Sequence, residues 1–225
     1  MTEAKKTKVK IEGKDAEVII DVKPTGYESA LFNLPLDLSI AGVKKYSQEV
    51  VSLYQNAQMR IQGGKDSNVS KSYNLTREGV IWMPNSKPML VRDSPLLYIA
   101  KEAVIASREN REVYPTLSQI EAALANSTEY PQKDTRIPTH GFNSDALTVF
   151  AFGGEENAKK YGEFLKDAGV ESILVRTARK SYVDGQRKPF VTQVSLGSVE
   201  GHSNIEGVNR SFYLNNWLRG AREIK

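Results

Sequence analysis

"ALTVFAFGGEENAKKYGEFLKDAGVESILVRTA", residues 146–178, holds the pattern on which the fold assignment turns. Residues 146–152 form a near-continuous apolar run, the pattern of a strand buried on both faces. Gly153 and Gly154 turn the chain. Ala158, Tyr161, Leu165 and Ala168 then recur at helical spacing, and Gly169 stands where such a helix stops. "SILVRTA" (172–178) reads as the next strand. Strand, helix and strand within roughly 30 residues predict a βαβ unit with parallel strands and a right-handed crossover.

Downstream, Asp184-Gly185 between two strand-like runs is the signal of a two-residue hairpin turn. That turn sets a register in which Tyr182 faces Arg187, Arg176 faces Gln193 and Val175 faces Val194. "KPFVTQVSL" (188–196) is then a third strand, completing a C-terminal β-α-β-β unit. Alternation places Val175 and Val194 on a core face and leaves a cationic tip projecting past the core. "RSFYLNNWL" (210–218) reads as a last strand or short helix, followed by a basic end.

Upstream, "KVKIEGKDAEVIIDVK" predicts an N-terminal β-hairpin reversing at Gly13, with Ala16, Val18, Ile20 and Val22 alternating against polar residues. Val43, Tyr46, Val50, Leu53, Tyr54, Ala57 and Ile61 follow one helical stripe and predict a single long packed helix stopping near Gly63. "QGGKDSNVSKS" (62–72) reads as a flexible loop and as the candidate internal boundary of an otherwise single domain, 1–225. Ser94-Pro95 opens a helix to about 108. Thr116 with Gln119 forms a capping box for a helix whose buried face is Leu117, Ile120 and Leu124. Residues 127–144 show no periodicity and read as a long connection. The fold class expected is α+β: a mixed β-sheet with the C-terminal β-α-β-β unit, the N-terminal hairpin and the long helix.

Composition narrows the chemistry. The chain lacks cysteine, which removes disulfides, thiolate zinc sites and cysteine nucleophiles. The N-terminus has no apolar run behind its lysines, and no stretch approaches a membrane span. A cytoplasmic location without a membrane partner is the expectation. Gly153-Gly154 precedes Glu155 and Glu156, whose charges repel a phosphate at the helix start, and no GxGxxG or P-loop pattern occurs. The two histidines, His140 and His202, lie in predicted loops without metal-ligand spacing. No cofactor, metal or catalytic set is therefore expected.

Net charge is +4, yet three segments are each strongly positive, so the remainder is acidic. They are the lysines at 5, 6, 8 and 10, the stretch 173–190, and the C-terminal end with Arg210, Arg219, Arg222 and Lys225. Segregated charge of this kind produces a field that a polyanion feels. The expected function is non-catalytic nucleic-acid binding dominated by the phosphate backbone, on single-stranded DNA or RNA. The residues assigned to it are Arg176, Arg179, Lys180, Arg187 and Lys188 on phosphate and Tyr182 as a stacking ring, with Arg219 and Arg222 in support. The alternative is a structural subunit that self-associates or joins other protein chains. A small hydrolase built on a loop histidine is a third class.

Overall fold

A computed structural model describes residues 4–21, 26–109, 111, 113–178, 183, 187–200, 203–208 and 216–224 of the chain. The described residues form one twelve-stranded mixed sheet flanked by helices. In chain order the elements are β1 (Ala4–Ile11), β2 (Lys14–Asp21), β3 (Tyr27–Leu34), α1 (Leu36–Lys45), β4 (Glu49–Val50), α2 (Leu53–Gly63) and α3 (Asn68–Lys71). There follow β5 (Asn74–Trp82), β6 (Met89–Val91), α4 (Ala100–Arg108), α5 (Leu117–Leu124), β7 (Ser127–Glu129), β8 (Thr135–Pro138) and α6 (Ala146–Ala151). The last are α7 (Glu155–Asp167), β9 (Ser172–Arg176), β10 (Phe190–Leu196), β11 (Asn204–Val208) and β12 (Asn216–Glu223). The sheet runs β1-β2-β3-β12-β5-β10-β11-β9-β8, with β4 beside β12 and β6-β7 branching from β5.

The N-terminal hairpin forms as its alternation predicts. Lys8 pairs with Glu17 and Ile11 with Lys14 across a turn in which Glu12 and Gly13 take positive φ. Ile11, Ala16 and Val18 join Phe32, Val43 and Leu218 in a core closed by α1 and α4. A larger core lies under α2, α6 and α7, where Phe152 and Tyr161 meet at 4.6 Å between ring centroids. Each large apolar side chain fully buried in these cores contributes roughly 1.5–3 kcal/mol.

The mixed α+β class stands, but its expected C-terminal unit does not. Residues 146–151 are a helix, not a strand. Asp145 caps it, its carboxylate accepting from the Thr148 N–H at 2.9 Å. A short apolar run is as compatible with a buried helix as with a buried strand, and the cap decides between them here. The hairpin register also fails. β9 pairs in parallel with β11 and antiparallel with β8, whereas β10 lies between β5 and β11. Arg176 stands opposite Glu206, not Gln193. The Asp184-Gly185 turn lies outside the described residues. Val183 packs against the main core.

The long helix is two. Ser47 takes φ 53°, β4 pairs with Gly220 and Ala221, and α2 starts afresh at the Ser52–Gln55 capping box. In that box the Gln55 N–H donates to Ser52 Oγ and the Ser52 N–H donates to Gln55 Oε1, both at 3.0 Å. The apolar stripe continues across the break, which is why periodicity alone joined the pieces. Residues 62–72 hold α3, with Val69 and Ser70 buried, and are a packed connection instead of a flexible loop. Residues 127–144 contain β7 and β8. The Thr116–Gln119 capping box is present, although Leu117, expected on the buried face, is 70% exposed. Among the described residues no helix is long and apolar enough to cross a membrane.

Candidate functional site

β9 alternates along its length. Ile173 and Val175 are buried in the core, while Ser172, Leu174 and Arg176 face the other way. The neighbouring edge strand β8 sets Arg136 directly opposite Leu174. Two arginines thus share one open sheet face. They line a groove of about 570 Å³ together with Lys65, which enters from the α2–α3 connection. Arg136 reaches Ser172 Oγ at 3.5 Å, and neither guanidinium has a carboxylate partner among the described residues. The acids around them are mostly engaged. Glu200 pairs with Lys71 at 3.5 Å, and Glu206 accepts from Tyr73 and from Asn204. Glu171 completes the lining.

The strand end that holds Arg176 is pinned from behind. The Tyr130 hydroxyl donates to the Arg176 carbonyl at 2.6 Å and accepts from the Gly207 N–H at 3.2 Å. Burial raises the pKa of this phenol well above its ordinary value, so it remains a donor across the working pH range.

The remaining assigned residues divide. Arg187 and Lys188 are exposed, with Lys188 Nζ 5.6 Å from the centre of the Tyr114 ring. Arg187 lines a second groove, of about 760 Å³, between the β5–β6 turn and the described part of 178–187. Arg179, Lys180 and Tyr182 lie outside the described residues.

Arg219 is a correction: it is 0% exposed and cannot meet a partner's phosphate. It sits in β12, a strand inside the sheet, where it binds Asn74 Oδ1 at 2.8 Å, Ser29 Oγ at 3.0 Å and the Asp21 carboxylate. Burial lowers its pKa, and Asp21 opposes that shift. The sequence predicts a last strand or short helix at 210–218 with a basic end after it; β12 runs on through Glu223 and carries Arg219 into the sheet. Arg222, in the same strand, is half-exposed and already paired with Glu28, its Nε 2.8 Å from the carboxylate. His140 is exposed, and His202 lies outside the described residues. No group of three or more His, Cys, Asp or Glu residues that could hold a metal occurs among the described residues.

Sequence reasoning missed Arg136 and Lys65. Arg136 lies in a stretch read as structureless, although Thr135-Arg136-Ile137 alternates polar and apolar over a single buried position. Lys65 became a site residue only once α3 folded the connection back toward β11.

No family model matches the chain, and no curated protein matches it. A solved structure described as "Accommodation of massive sequence variation in Nanoarchaeota by the C-type lectin fold" matches with a TM-score of 0.62. The match covers 96% of this chain and 100% of that one, at 15% identity. At that identity the likeness is one of fold alone.

Proposed function

We propose that the protein is a non-catalytic binding module for single-stranded nucleic acid, held through its phosphates. The observation that supports this reading best is the Arg136–Arg176 pair on one open sheet face, without carboxylate partners among the described residues, at a groove shared with Lys65. Guanidinium groups form bidentate charge-assisted bonds with phosphate, and each contact releases counterions. Arg187 and Lys188 are further exposed cations, outside the groove that Arg136 and Arg176 line. The similar structure's description credits the C-type lectin fold with accommodating massive sequence variation, which suits a scaffold whose exposed side chains carry the recognition.

Anisotropy of a fluorescein-labelled oligothymidylate strand tests the reading. Affinity is expected to fall steeply with salt. Arg136→Ala with Arg176→Ala should weaken binding and lower the salt slope by about one to one and a half. Binding absent at about 50 mM salt, or indifferent to both substitutions, overturns it.

A second reading, an assembly subunit, is favoured by the outer edge of β1, which among the described residues pairs with β2 alone over its eight residues. Light scattering separates the two, since a defined oligomer free of nucleic acid supports assembly.

A further inference from the structure

We propose that the outer edge of β1 takes an extended acidic segment of another protein as an added antiparallel strand. This deepens the assembly reading, on which it rests, and is independent of the nucleic-acid reading, because β1 and the Arg136-bearing β8 stand at opposite ends of the strand order. The β1–β2 turn fixes which backbone groups face outward. Glu12 (φ 46°) and Gly13 (φ 80°) are both positive, the type I′ geometry of a two-residue loop. The flanking pair, Ile11 and Lys14, then exchanges both ladder bonds, and so do Val9 with Ala16 and Thr7 with Val18. Lys6, Lys8 and Lys10 alternate with these and turn their N–H and C=O groups away from β2. The Lys10 carbonyl confirms it by accepting from Lys45 Nζ of α1 at 2.7 Å. Both backbone groups of Lys6 and Lys8, and the Lys10 N–H, have no partner among the described residues. Such a row is a template for one more strand.

The side chains select the occupant. Lys5, Lys6, Lys8 and Lys10 are exposed, and β1 holds no acid. Lys6 and Lys10 each reach an acid of β2 at 3.0 Å, in exposed pairs that hold them only weakly. Lys5 and Lys8 have no carboxylate partner among the described residues. A second copy laid antiparallel here would set lysine against lysine, and like charges directly opposite are destabilising. A nucleic acid would satisfy the charges and leave the ladder groups bare. An acidic strand satisfies both. Alternation sets its pattern, with acids opposite Lys6, Lys8 and Lys10 and apolar residues beside Thr7 and Val9, which are half-buried.

The probe is a fluorescein-labelled peptide of alternating glutamate and valine, as long as β1 at eight residues, followed by anisotropy with the intact protein. Saturable binding is expected below about 1 mM. A peptide of alternating lysine and valine should bind at least about tenfold more weakly, because each cross-strand pair changes sign. N-methylation of the glutamate amides keeps every charge, removes the donors that face β1, and should abolish binding. Lys8→Pro removes one outward N–H and one charge without touching the β2 ladder, and should weaken binding at least about tenfold. Arg136→Ala with Arg176→Ala should leave it unchanged. No saturation up to about 1 mM overturns the proposal, as does equal affinity for the N-methylated peptide or displacement by oligothymidylate. A homodimer seen by light scattering and lost in Lys8→Pro also overturns it while the assembly reading stands; absence of both peptide binding and any oligomer removes the two together.

Discussion

Glu78 shows what a single residue can hide. It is 0% exposed on β5, and both carboxylate oxygens lie 3.0 Å from the Leu53 N–H at the start of α2. That bond and the helix dipole favour the charged form, but burial outweighs them and raises its pKa from 4.5 to about 7. Between these values the unfolded chain has released the proton while the folded protein still holds it. Stability therefore falls as pH rises from 4.5 to about 7, and the loss persists above that. The group alone accounts for about 3 kcal/mol at most. Urea unfolding at a series of pH values should show this decline, and Glu78→Gln should flatten it; an unchanged slope in the variant refutes the assignment. None of this was legible in the sequence. A glutamate in "LTREGVIW" reads as the solvent side of a strand until the helix it caps is known to lie over it.

The elements that read correctly were those defined by local chemistry. The β1–β2 hairpin and the Thr116–Gln119 box follow from residues a few positions apart. Errors came where two local grammars overlap. The run at 146–152 fitted strand and helix equally, and the Asp145 cap went unused. Between α1 and α2, an unbroken stripe concealed a strand that exists only because β12 lies beside it. α7 read correctly, and its packing makes a sharp prediction. A Cβ on Gly162 would lie 2.3 Å from the Thr139 carbonyl oxygen, a backbone atom that cannot swing aside. Gly162→Ala should therefore destabilise the protein by about 1–3 kcal/mol by overpacking, despite its better helix propensity. A urea midpoint equal to or above that of the wild type would show that α7 shifts freely on the 139–141 turn.

At the scale of the whole molecule, strand order escaped the sequence entirely, because it depends on pairings between distant segments. The candidate groove was half legible for the same reason: the sequence reading named Arg176 but not Arg136 beside it, and it named Arg219, which is buried. Arg219 is a joint of the sheet, tying β12 to Asp21 of β2, Ser29 of β3 and Asn74 of β5. Arg219→Met strands the Asp21 carboxylate, 12% exposed, without its partner. The expected cost is about 3–5 kcal/mol, measured by urea unfolding, and adding Asp21→Asn should restore part of it. Equal stability of the single variant would mean that the joint is dispensable.

The place of β12 also dictates when the sheet can exist. Its Arg219 meets a carboxylate 198 positions earlier in the chain. On the ribosome, β3 and β5 are synthesised long before the strand that lies between them. Until residues 216–223 emerge, β3 has one side unpaired and β5 lacks its partner at Leu75, and closing so long a loop is slow. The nascent chain is thus exposed to mispairing at β3 for as long as it takes to make the residues between β3 and β12. A chaperone that shields strand edges would act on β3 before β12 has paired with it.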